Sequence, residues 1–155
     1  MTYAAHRRII DVDSHLFELD DFLHNAASPE HLDLVPSMLE QKGLPVVKAG
    51  LDRGRELFEK RQNDPTSMAK FEASLMDNTK NAWSRLGAFD PKERSHTLDL
   101  LGFGMQWVLP TFSFHQTLAA AKGEALEATS ITLNKAMANF CAHDDRLKAV
   151  GYLPL

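Results

Sequence analysis

The sequence predicts an α/β fold, and three observations carry that prediction. A β-branched strand opens the chain at Arg8–Asp13, helix and strand alternate regularly from Asp90 to Leu153, and the second strand is a mostly apolar run. Such alternation is the pattern of parallel strands joined by crossover helices. The 155 residues, 44% of them hydrophobic and 25% charged, have the composition of one ordinary globular domain.

In the first strand Ile9, Ile10 and Val12 supply the β-branched bulk. Alternation along a strand places Ile9, Asp11 and Asp13 on one face and Ile10 and Val12 on the other. His15 joins Asp13 if the chain stays extended for two more residues. Leu16–Phe89 then reads as a long insertion, with short helices expected over Leu19–Ala26, His31–Gln41, Arg53–Arg61 and Ser67–Met76. Pro29, Pro36, Pro45, Pro65, Gly43, Gly50 and Gly54 interrupt the pattern. Its length, directly after the first strand, suggests a lid over the carboxyl ends of the strands.

Asp90–Leu101 is the best-marked helix. Asp90 is placed to cap it, Pro91 takes its first position, Glu93 completes a capping box and Gly102 provides the left-handed stop. Leu98 and Leu101 form its inward stripe. Met105–Pro110 follows as the second strand. Ala119–Ala142 reads as one long helix, with Leu126, Leu133, Met137, Phe140 and Cys141 at helical spacing and Gly123 a candidate break in its first turn. A turn at Asp144–Asp145 leads into a third strand, Leu147–Leu153.

The composition also excludes functions. Seventeen basic residues against 21 acidic ones leave a net charge of −4 without a basic block, which directs attention away from nucleic acid. A single cysteine, Cys141, forms no internal disulfide and no cysteine-rich zinc site, and its place on an apolar stripe reads as packing. The apolar runs are short for a membrane span, and Met1–Arg8 lacks the apolar stretch of a secretory signal. A soluble cytoplasmic protein without a membrane partner is the expectation.

The chemistry-bearing feature is Asp11-Val12-Asp13-Ser14-His15, with Glu18 three residues on. Asp13 and His15, one pleat repeat apart at the carboxyl end of a parallel strand, can converge on one cation. A carboxylate oxygen with an imidazole nitrogen suits zinc first, and also manganese, iron or cobalt. The competing reading makes Asp13 a turn cap and His15 an ordinary loop residue. Glu18 is a candidate third ligand, a residue orienting His15, or a solvated loop acid. His115 follows the second strand in an expected loop and is a candidate substrate contact. Phe112 and Phe114 could wall a pocket; Trp83 and Trp107 read as packing, and the remaining histidines as surface residues.

The segment IDVDSHLFE resembles the opening of the amidohydrolase-related metal-dependent hydrolases, the family of aminocarboxymuconate-semialdehyde decarboxylase and the resorcylate-type decarboxylases. FDPKERSHTLDLLGFGMQWVLPT is similar to that family's run from first barrel helix to second strand. LNKAMANFCAHDDRLKAVGYLPL is similar to its second helix and third strand. The resemblance implies the first three strands of a (β/α)8 TIM barrel, with Asp13 and His15 in the family's first metal motif. It implies a hydrolase or non-oxidative decarboxylase (a carboxy-lyase) acting on a small carboxylated, amide or ester substrate. Further ligands and the acid–base histidine would lie beyond position 155, so residues 1–155 are expected to be an incomplete domain and inactive alone. An open sheet with an unpaired edge would favour a homo-oligomer. The alternative is a small non-catalytic α/β binding or assembly module with a vestigial metal motif.

Overall fold

The computed structural model describes residues 2–39, 45–76, 82–120 and 122–154. Three parallel strands, β1 (Ile9–Leu16), β2 (Phe103–Pro110) and β3 (Leu147–Ala149), form one sheet in the order β1-β2-β3. The helices α1 (Pro45–Asn63), α2 (Pro65–Ala73), α3 (Pro91–Leu101), α4 (Phe112–Ala120) and α5 (Gly123–Cys141) accompany them among the described residues. Short 3-10 turns cover Pro29–Leu34 and Ala82–Ser84. The mixed α/β architecture is as the sequence predicts. No described helix is long and apolar enough to cross a membrane.

The main core lies between one sheet face and the helices. Leu16 and Val108 from the sheet meet Leu98 of α3 and Leu133, Met137, Phe140 and Cys141 of α5. Five of these seven side chains are essentially inaccessible, each contributing about 1.5–3 kcal/mol of transfer free energy. Burial also pushes the Cys141 thiol up to about 11, so it remains protonated at neutral pH. The opposite sheet face is open, with Val12, Ile10 and Trp107 exposed at 60, 44 and 48%. Trp107 is therefore not the packing residue the sequence suggested.

β1 is longer than Arg8–Asp13 and is bulged. Asp11 stands opposite Gln106 but Ser14 opposite Val108, so three steps on β1 match two on β2. Strict alternation fails there. Asp11 hydrogen-bonds the buried Gln106 side chain, while the Asp13 side chain is 84% exposed. The Asp11 carboxylate also accepts the Asp13 amide at 3.1 Å, which supports the bulge from within.

The insertion is folded differently from its local signals. Leu19–Ala26 forms hydrogen-bonded turns, not a helix, and the expected His31–Gln41 helix begins as the 3-10 turn, with Gln41 outside the described residues. α1 runs through Gly50 and Gly54 because both face Trp83, where a Cβ on Gly54 would stand 2.5 Å from the Trp83 Cβ. α2 starts earlier than Ser67, at Pro65, with the Asp64 carboxylate accepting the Thr66 amide. Ala119–Ala142 is not one helix: α4 ends at Ala120 and α5 begins at Gly123, which adopts φ +60°. β3 is shorter than predicted and ends at Ala149.

α3 matches its expected bounds, with Asp90 accepting the Glu93 amide at 2.8 Å and Gly102 in the left-handed region at φ +73°. Only half of the capping box forms. The Glu93 carboxylate turns away to Arg61, Gln62 and the Gly87 amide.

Candidate functional site

β1 and β2 end side by side, since parallel pairing carries His15 to Leu109 and Leu16 to Pro110. The polar residues around these ends make the site. His15 Nε2 lies 3.5 Å from Asp13 Oδ1, and both residues line a cavity of about 480 Å³ beside β1. Asp11, Gln106 and Arg94 line it too, with Phe71 and Leu75 from the α2 region. The spacing that suggested convergence of Asp13 and His15 is therefore matched by proximity, despite the bulge between Asp11 and Ser14.

The pair fits a divalent cation in donor chemistry and in distance. Two ligands about 2.1 Å from one tetrahedral ion stand about 3.4 Å apart. The His15 side chain is 45% exposed, so the pair is open to solvent. Among the described residues no group of three His, Cys, Asp or Glu side chains is placed to hold a metal ion.

Glu18 corrects the sequence reading. It is neither a solvated acid nor the third member of a cluster with Asp13 and His15: it is 1% exposed, and its carboxylate accepts three backbone amides. These are Thr111 at 2.9 Å, Phe112 at 3.0 Å and Ser113 at 3.0 Å, the first amides of α4. A helix start leaves such amides without intrahelical partners and concentrates positive charge there. Burial pushes the Glu18 carboxyl above its usual range, and the Phe112 and Ser113 amides work against that shift.

His115 is the second correction. It sits in helix α4, exposed, not in a loop, and it is not among the residues lining the Asp13–His15 cavity. Helix formation begins at Phe112 because Glu18 holds the preceding and first-turn amides, a contact spanning 93 residues that local sequence cannot reveal. Phe112 stacks on Trp83 at 4.7 Å and 12°, and Trp83 donates its indole N–H to the Glu18 carbonyl at 2.9 Å. Trp83 thus brings one part of the insertion against the segments that leave β1 and β2, while Leu23, Ala26 and Val35 pack into the main core.

Two residues were missed in the sequence. Arg94 is 6% exposed and donates to Ser14 Oγ at 2.7 Å, to the His15 carbonyl at 2.9 Å and to the Gly87 carbonyl at 2.5 Å. It clamps the backbone of β1 at the candidate ligand, and burial lowers its pKa to about 10, leaving it charged at neutral pH. Thr111 is the other. Its hydroxyl lies 3.0 Å from His15 Nδ1. A threonine after a strand carries no local signal of this contact.

Comparison with family models, with curated proteins and with solved structures finds no match to this chain.

Proposed function

We propose that the chain carries the first part of a divalent-metal site on a (β/α)-barrel scaffold, in a hydrolase or non-oxidative decarboxylase of the amidohydrolase type. The observation that supports this reading is the 3.5 Å approach of Asp13 Oδ1 and His15 Nε2 at the carboxyl end of β1. The β1-β2-β3 order, with helices on one face and the other face open, agrees with the start of such a barrel. Asp13 would supply an anionic oxygen and His15 a neutral imidazole, together holding zinc, manganese, iron or cobalt. Such an ion, when bound, supplies Lewis-acid polarisation and an activated water. A small carboxylated, amide or ester substrate would then meet the pair in the cavity beside β1 that both residues line.

Metal uptake tests this reading. Protein equilibrated with zinc and passed through a desalting column is expected to retain metal, and Asp13→Ala or His15→Ala to lose it. Equal metal content in wild type and both variants overturns the proposal.

A further inference from the structure

We propose that Thr111 is a positioning residue for His15, itself fixed by Glu18, and that it selects Nε2 as the nitrogen presented to a metal. The inference rests on the metal-site reading above. Two contacts carry it: Thr111 Oγ1 lies 3.0 Å from His15 Nδ1, and Asp13 Oδ1 lies 3.5 Å from His15 Nε2. The imidazole is thus held by one nitrogen at the end of β2 while the other faces the Asp13 carboxylate.

A neutral imidazole has one N–H and one lone pair, and a partner held at one nitrogen leaves the other as the one that faces the site. A hydroxyl can donate or accept, so Thr111 suits both tautomers. Without a cation, an Nε2–H turned toward Asp13 relieves the lone-pair repulsion between that nitrogen and the carboxylate. A cation held by Asp13 and His15 would favour the Nδ1–H tautomer, in which Nδ1–H donates a hydrogen bond to the Thr111 oxygen and the Nε2 lone pair is left free. Overall the proton is only relocated, from Nε2 to Nδ1 through solvent.

Thr111 is well placed for this because its own backbone is held. Its amide donates to Glu18 Oε1 at 2.9 Å, and Glu18 accepts two further amides of the same turn. Glu18 follows His15 by three residues, so one short segment supplies both the candidate ligand and the brace for the residue that orients it. Outer partners of metal-bound histidines commonly change affinity by about 10–100-fold when removed.

Three variants and histidine ¹⁵N NMR test the proposal, with the His15 signals assigned by His15→Asn. The probe is Zn²⁺ alone. In wild type, zinc is expected to shift His15 to the Nδ1–H tautomer with Nε2 bound. Thr111→Val should weaken zinc binding about tenfold, and Thr111→Ser should restore it, with unchanged circular dichroism in both. Equal affinity in Thr111→Val and wild type, or zinc bound through Nδ1, overturns the assignment. If wild type takes up no more zinc than His15→Asn, the metal-site reading fails separately. The metal-free spectra then decide on Thr111: a His15 tautomer ratio altered by Thr111→Val and restored by Thr111→Ser supports it, and an identical ratio in all three proteins overturns it.

Discussion

Glu93 and Arg61 form a two-pronged ion pair in the interior, with Arg61 Nε 2.6 Å from Glu93 Oε1 and Nη2 2.7 Å from Oε2. Their side chains are 3% and 0% exposed. The Glu93 carboxylate accepts two more hydrogen bonds, from Gln62 Nε2 at 2.8 Å and the Gly87 amide at 3.1 Å. The Arg61 guanidinium also lies against the rings of Phe58 and Phe71, at 5.4 and 4.9 Å from their centroids. One contact therefore ties α1, α2 and α3 together and holds the insertion to the sheet domain.

Removing one partner leaves the other charged and buried. Glu93→Ala or Arg61→Ala is expected to destabilise the fold by about 3–5 kcal/mol. The double change Arg61→Met with Glu93→Leu should cost less than the sum of the two single losses, since no charge is stranded. Urea unfolding followed by circular dichroism measures this. Single variants within about 0.5 kcal/mol of wild type, the range of ordinary surface changes, would show that the pair does not join these helices.

The glycine notch in α1 leads to a prediction against helix propensity. Alanine is favoured over glycine in a helix by about 1 kcal/mol. At position 54, however, the added methyl would stand 2.5 Å from the Trp83 Cβ and 3.1 Å from the Trp83 carbonyl oxygen. Gly54→Ala should therefore lower stability by about 1–3 kcal/mol, the usual range for overpacking. A raised melting temperature in Gly54→Ala would mean that Trp83 does not lie against α1.

These same contacts explain what the sequence could and could not disclose. α3 was legible because Asp90, Pro91 and Gly102 are local signals acting within a few residues. The parallel sheet was legible from the alternation of elements. Of α1 only Arg53–Arg61 was legible, because Gly50 and Gly54 read as breakers until Trp83, some 30 residues away, is seen to fill the notch they leave. The start of α4 at Phe112 was obscured for a similar reason, since Glu18 holds it from 93 residues upstream, whereas Gly123 marked the start of α5 locally. At the site, the Asp13–His15 spacing was readable because the two are neighbours on one strand. Thr111 and Arg94 reach His15 only through strand pairing and helix packing, and leave no trace in local pattern.

Acid should weaken the turn before β3. Arg146 donates to the Asp144 carboxylate at 2.7 and 3.0 Å and holds that carboxyl well below the usual range, helped by the Arg146 amide. A carboxyl depressed in the folded state contributes stability above its unfolded value, near pH 4, and loses it as pH falls through the folded value. The contribution should be complete at pH 6 and shrink progressively below about pH 4. Unfolding free energies of wild type and Asp144→Asn, measured from pH 6 to pH 3, should converge as the pH drops. A gap that is constant or widens over that interval would contradict the Asp144–Arg146 contact.

The two tryptophans report on opposite environments, and together they test the open face of the sheet. Trp83 is 5% exposed, stacked on Phe112 and hydrogen-bonded to the Glu18 carbonyl. Trp107 is 48% exposed on the face that carries Ile10 and Val12, with no helix of the described residues covering it. A buried indole in an apolar surround emits to the blue and resists quenchers, whereas a hydrated one emits to the red. Trp83→Phe, which leaves only Trp107, should therefore show red-shifted emission readily quenched by acrylamide. Trp107→Phe should show the reverse. If Trp107 is as protected from quencher as Trp83, the sheet face that carries Ile10 and Val12 is covered, contrary to its exposure.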